Sequence, residues 1–451
     1  MRTPSAVHRS YLVEKRGVKS LQRRGLFILA FGVQFLAHSL AQSFYAPLQN
    51  HPLLVQARLG LEAAQAQLRA QASSVSLQAQ GGNAWLNFQD PIPATQVASA
   101  SVGVVFTPFP FGDTADAITQ ARLGVEQAAL GLRQAQANLE AQALEAAYRV
   151  RLAQLGLEAA QSGARLAQAS LEAVRLRAQR EAASPAEVRQ AEAQLRQAQL
   201  QAEDAGRNLE LARRNLSDLL GASALEMLFS PHSGETIPPI PSPPLPATPP
   251  SVRQAELQLV QAQLNYARAE RGIWPVAQAS YTYNTSPRDS FSLSLNSRTL
   301  QPQLGYSYQN PPTTSTGQPR PESQFQLGVS LNLSPAIFEA LEAGRKQVEA
   351  AQAALEAAKR SAALQEASLQ AALQSAEAQV SLAQAAQQDA ERSLAESRER
   401  ERLGLSSPLA TLQAELGLAQ AQLALEQAKL NRLSRILDLY RFYAQPLSEV
   451  K

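Results

Sequence analysis

Cysteine is absent from the 451 residues, which excludes disulfides, thiolate metal sites and a lipidated N-terminal cysteine together. Histidine is scarce, at 4, and no His-rich metal cluster, Ser/His/Asp arrangement or glycine-rich phosphate loop is legible. The chain therefore does not read as an enzyme and asks for no cofactor. Aromatics make up only 6% and charged residues 18%, which fits poorly with several compact cores and favours extended helices. Charge of either sign is nearly balanced. The formal +3 includes an N-terminal cluster of Arg2, Arg9, Lys15, Arg16, Lys19, Arg23 and Arg24, and without it the basic excess disappears, so a nucleic-acid partner has no electrostatic support.

Long apolar runs are also rare. Leu26 to Leu40 follows the basic cluster and leads into Ser39-Leu40-Ala41, which is the order of a secretory signal, with residues 1–41 as the segment and cleavage expected after Ala41. At about 15 residues the run is short for a membrane span, and no basic stop-transfer cluster follows it.

Ala, Gln, Leu and Glu in helical spacing dominate what remains, and they are duplicated. SPAEVRQAEAQLRQAQLQAE from Ser184 aligns without gaps on SPLATLQAELGLAQAQLALE from Ser407, and PLLVQARLGLEAAQAQL from Pro52 resembles PSVRQAELQLVQAQL from Pro250. Each half reads as short helix, strands, very long helix, Ser-Pro break and medium helix. The first repeat covers 42–220, with a β-hairpin over 73–108 and a helical hairpin over 114–220. The second covers 251–443, with a β-region over 275–334 and a helical hairpin over 339–443. Between them lies a connector, 221–250, containing IPPIPSPPLPATPP, which cannot be helix; a tail, 444–451, ends the chain. Thr114 to Ala182 can run as one helix of ~100 Å, nearly matched by the two shorter helices of its repeat placed end to end.

The strands alternate apolar and uncharged polar side chains: Phe325, Leu327, Val329 and Leu331 against Gln324, Gln326, Gly328 and Ser330, and likewise in SFSLSLNSRTLQPQLGYSYQ from Ser290. In the first half Val75 and Leu77 have one parity and Leu86 and Phe88 the other, which makes Gly81-Gly82 a natural place for a bulge. Alternation alone fits a soluble sandwich. The secretory signal, the lack of Lys and Glu on the polar face, and Tyr or Trp near strand ends point instead to an outer-membrane barrel with lipid outside and water inside. One chain has too few strands to close a wide barrel, so several copies must each donate some. The stretch Ser290–Gln309 is read as part of one hairpin extended outside the bilayer, its seven-residue alternations falling short of the ~9 to 11 residues a spanning strand needs.

At this point the chain resembles the TolC-like outer-membrane efflux proteins. His51-Pro52 before the first helix, Phe109-Pro110-Phe111-Gly112-Asp113 at a strand-to-helix turn, Ile273-Trp274-Pro275 before a strand and Pro335-Ala336-Ile337-Phe338 carry the likeness, in the family's order. It implies a mainly α fold with β, in which duplicated antiparallel helical hairpins and transmembrane strands form a trimeric β-barrel continued by an α-helical tunnel. It also implies a homotrimer in outer-membrane lipid with a long periplasmic extension. The activity implied is that of an exit duct, for efflux or type I secretion, served by a periplasmic adaptor and an inner-membrane transporter. Adaptor contact falls on the turns at Ala182, Ala183 and Ser184 and at Gly404, Leu405 and Ser406. A periplasmic constriction falls near Glu187, Gln413 and Glu415, of which Gln413 carries no charge, so a full acidic ring is not expected. The run Glu396 to Arg402 reads as a solvated helix face with i,i+4 pairing. Two other readings differ in sequence: an adaptor would flank a single hairpin with Gly- and Val-rich modules, and a coiled-coil envelope protein would need no polar-faced strands.

Overall fold

The computed structural model describes residues 44–86, 95–221, 237–310, 321–331 and 334–449; the expected secretory segment, 1–41, and Phe88 lie outside them. Six helices carry most of the chain: α1 (Pro52–Gln71), α2 (Asp113–Gln179), α3 (Pro185–Leu220), α4 (Pro250–Arg271), α5 (Pro335–Arg402) and α6 (Pro408–Tyr443). Five of the six begin on proline and the exception, α2, begins on Asp113; a first-turn proline loses no hydrogen bond, and an aspartate there meets the positive end of the helix dipole. The chain divides into two compact units, each described in turn.

The first unit gathers Arg133–Ala247 and Leu364–Lys451 with residues up to Val55. Its core is built from small and branched side chains at helical spacing: Ala137, Ala141, Leu144 and Val150 of α2 and Leu433, Ile436, Leu437 and Tyr440 of α6 are all buried. Arg441 of α6 reaches Glu145 of α2 at 3.2 Å. Glu140, buried, accepts from the Ser448 amide at 2.9 Å, the Ser448 hydroxyl at 2.7 Å and Gln136 Nε2 at 2.9 Å, so its oxygens are satisfied by neutral donors. The proline-rich connector has no helix or strand over 237–249. Having few amides to donate, it offers carbonyls instead: Tyr148 donates to Pro238 O at 3.1 Å, Tyr440 to Ser242 O at 2.8 Å, and Gln445 Nε2 to Leu245 O at 3.1 Å.

The second unit gathers Gln56–Leu132 and Thr248–Ala363. Here α4 is tied to α2 by Arg253 on Glu126 at 2.9 Å and by Arg268 on Asp116 at 3.2 Å, with Arg271 on the same Asp116 carboxylate. The unit holds all the described strands: β1 (Val75–Leu86), β2 (Thr95–Phe106), β3 (Val276–Asn284), β4 (Asp289–Asn296), β5 (Pro302–Asn310) and β6 (Ser323–Ser330). They form one antiparallel sheet in the order β1-β2-β5-β4-β3-β6.

Two expectations fail here. No bulge forms at Gly81-Gly82: β1 and β2 pair residue for residue from Val75 on Phe106 to Leu86 on Thr95. An uninterrupted ladder pairs the backbone groups that β1 and β2 turn toward each other, where a bulge would leave one unpaired. Nor is Ser290–Gln309 the extension of an outer hairpin. Its two halves are β4 and β5, full members of the sheet between β2 and β3, and the turn joining them lies at the helix-bearing end. There Gln301 Nε2 donates to Thr107 Oγ1 at 2.7 Å, and the Arg298 carbonyl presses on Gly112, where an added Cβ would sit 2.0 Å from it. Short strands are accommodated because each is paired along its length on both sides.

Candidate functional site: a two-faced sheet and two helical tips

Registers across all five strand pairs keep one set of side chains in line. Leu77 faces Val104, Val104 faces Leu304, Leu304 faces Leu293, Leu293 faces Tyr281, and Tyr281 faces Phe325. The opposite face runs through Gln78, Gly103, Gly305, Ser292, Thr282 and Gln324 in the same way. Every described residue on that row is uncharged.

Exposure is inverted with respect to a soluble sheet. Leu77 is 71% exposed, Phe325 68% and Val329 67%, whereas along β4 the serines are the shielded residues and Phe291, Leu293 and Leu295 the open ones. In water such a surface is costly, at roughly 25 cal/mol for each Å² of apolar area. Facing hydrocarbon, the same surface is at rest, and the polar face meets water.

The two turns between long and medium helices are built alike, 223 positions apart. After α2, Glu181 has φ 55° and its amide bonds Ala178 O at 3.0 Å, while the Ala182 amide bonds Arg177 O at 2.9 Å. After α5, Gly404 has φ 71°, its amide bonds Glu401 O at 2.9 Å, and the Leu405 amide bonds Arg400 O at 2.8 Å. Both are helix ends closed by a left-handed residue. Ser184 and Ser407 then stand as N-caps in extended backbone before Pro185 and Pro408.

The tips differ in what they present. Ala182 and Ser184 are exposed, and Ala183 packs on Leu171, Val174 and Ala191. Gly404 stands between Leu403 and Leu405, which are 56% and 75% exposed, with Ser406 half-buried. The second tip therefore offers an apolar grip that the first lacks.

The residues expected near a constriction have local partners. Glu187 closes a capping box: it accepts from the Ser184 amide at 2.6 Å while Ser184 Oγ accepts from the Glu187 amide at 3.3 Å. Those bonds, first the one to the Ser184 backbone, hold its carboxyl below the usual glutamate range. Glu415 is paired with Arg398 across the α5–α6 hairpin at 2.9 Å. Its repeat mate Glu192 is paired with Arg175 across the α2–α3 hairpin at 2.8 Å. Gln413 is exposed. Arg398 thus crosses the hairpin instead of pairing along its own helix, and Arg402 pairs with Glu399 at i,i+3. The 223-residue offset of the duplication was the available signal for the matching clamps, since it places Arg175 on Arg398 and Glu192 on Glu415.

A helical hairpin repeated twice and a sheet with one apolar and one uncharged polar face define the class: a mainly helical fold with a two-faced antiparallel sheet. Comparison with solved structures agrees on the fold. The chain is similar to the outer membrane protein VceC of Vibrio cholerae, at 15% identity and TM-score 0.63, covering 90% of this chain and 96% of that one. It is similar to the Campylobacter jejuni CmeC outer membrane channel, at 16% identity and TM-score 0.61 over 91% and 87%. The Neisseria gonorrhoeae MtrE outer membrane channel in its open state matches at 20% identity and TM-score 0.63 over 90% and 89%. Comparison with curated proteins finds no match. Residues 247–444 match the family model described as Outer membrane efflux protein.

Proposed function

We infer that this chain is one copy of an outer-membrane exit duct, three copies of which share a barrel and carry solutes from a pump to the exterior. The observation that carries this reading is the inverted sheet: the row from Leu77 to Phe325 is apolar and largely open, and the row from Gln78 to Gln324 on the other face is uncharged. Among the described residues no helix is long and apolar enough to cross a membrane; the surface suited to lipid is the exposed apolar row of the sheet. Open edges at β1 and β6 cannot stand in hydrocarbon with unpaired backbone, and antiparallel pairing of one copy's β1 with the next copy's β6 satisfies both. A duct of this kind needs a periplasmic adaptor and an inner-membrane transporter, because nothing in the site supplies energy.

The adaptor meets the helical tips, chiefly Leu403-Gly404-Leu405. Gly404→Arg combined with Leu405→Glu should abolish efflux and adaptor copurification while leaving the oligomer and its membrane insertion intact, read by dye efflux from cells and by the mass of the detergent-extracted species. Normal efflux with normal copurification would remove this tip from the binding site.

A further inference from the structure

The two halves of the chain are out of step in one place. Val75 opens β1 and Val276 opens β3, 201 positions apart; Asp113 opens α2 and Pro335 opens α5, 222 positions apart. The second half thus carries 21 additional residues between the start of its first strand and the start of its long helix, close to the 22 residues of Asp289–Asn310, which are β4, its turn and β5. In each half the first strand follows a short helix and the last strand precedes a long one, so β1 and β2 correspond to β3 and β6. The pair β4–β5 has no counterpart in the first half.

The sheet order makes this pair a removable unit. Without it, β2 and β3 would be neighbours, and three successive antiparallel pairings leave them antiparallel to each other. The faces also agree: Val102 stands against Tyr306, Tyr306 against Phe291 and Phe291 against Tyr283, so closing the gap sets Val102 beside Tyr283 on the apolar side. The chain ends to be rejoined are near one another, since the Asn284 amide donates to Glu322 O at 2.8 Å.

We propose that β4–β5 is an inserted hairpin of the barrel wall that raises each copy's share from four strands to six and widens the lumen, so that the duct passes bulkier solutes than the four-strand repeat alone would admit. The proposal rests on the duct reading. Barrel diameter grows about linearly with strand number, so at a fixed number of copies the insertion makes the barrel roughly one and a half times as wide. The polar side of the pair suits this role, because Ser292, Ser294, Gln303 and Ser307 continue the uncharged face without a break. A surface of hydroxyls and amides holds water without binding strongly to solutes of either charge.

The test excises residues 287–310, joining Ser286 to Pro311, and images wild-type and excised oligomers in lipid nanodiscs by electron cryomicroscopy. The expected result is the same copy number with a barrel roughly two-thirds as wide; an unchanged width overturns the proposal. Should the excised chain not assemble, thiol labelling in the full chain decides, on a background free of cysteine. Ser294→Cys should react with a membrane-impermeant sulfonate thiol reagent and Leu293→Cys should not. The reverse pattern, or no reaction at either, overturns the proposal. A wild-type chain that forms no closed barrel would defeat the duct reading itself, a result distinct from a closed barrel of unaltered width.

Discussion

Positions 181 and 404 show how one backbone requirement is met in two ways. Both tips need a left-handed residue to end the long helix, and only the second has glycine there. A side chain in that conformation costs about 1 kcal/mol relative to glycine. Space is not the issue at Gly404, where an added Cβ meets nothing within 4 Å. Glu181→Gly should therefore stabilise the first tip and Gly404→Ala destabilise the second, each by about 1 kcal/mol and with opposite sign. Amide hydrogen exchange over the residues flanking each turn reads the difference. Equal and unchanged protection in both variants would show that the tips relax without the left-handed residue.

At the scale of elements, a hairpin of long helices is held at its turn by the start of the returning helix and by one ion pair across it. The start of α3 is coupled to pH. Glu187 has its folded-state pKa depressed below the ordinary 4.5 by its bonds to Ser184, so the stabilisation is present above that ordinary value and is lost as pH falls through the depressed one. Amide protection at Ser184 and over 186–188 should fall on acidification below about pH 4.5. In Ser184→Ala, which weakens the helix start by about 1 kcal/mol, it should be low already and respond less. The start of α6 lacks a side-chain cap bond at Ser407 and should not show this response. The ion pairs Arg175–Glu192 and Arg398–Glu415 are largely exposed, so they align the hairpins more than they stabilise them.

At the scale of the whole molecule, one chain leaves unfinished surfaces. Leu364 and Leu382 of α5 are 74% and 73% exposed, and Leu200 and Leu211 of α3 are 57% and 54% exposed; side chains of this kind are ordinarily buried. Together with the open sheet edges they are the surfaces that neighbouring copies cover in the proposed trimer. Chemical crosslinking of the detergent-extracted protein should give a three-chain species. Leu364→Glu with Leu382→Glu should shift it toward single chains, since burying each leucine contributes about 1.5–3 kcal/mol. A stable single chain with full strand content in the unmodified protein would contradict the trimer.

Sequence alone determined what depends on near neighbours in the chain. Alternation at period two marked Phe325, Leu327 and Val329 as one face of a strand, an Ala-rich tract marked α2, and Ser-Pro marked the two returns, because backbone geometry ties these patterns to local conformation. The duplication told which parts repeat, since Ser184 and Ser407 head similar tracts. It did not tell which strand pairs with which. By the length of its alternations SFSLSLNSRTLQPQLGYSYQ reads as an external extension, and only the tertiary structure placed it between β2 and β3. Partner choice in a sheet is a long-range matter, decided by register with residues some two hundred positions away, such as Val104 on Leu304. For the same reason the clamps at Arg175 and Arg398 and the tyrosine ties on the connector emerged only in three dimensions: each joins groups whose meeting depends on where a turn sends the chain, and the sequence specifies that a turn occurs more clearly than where it leads.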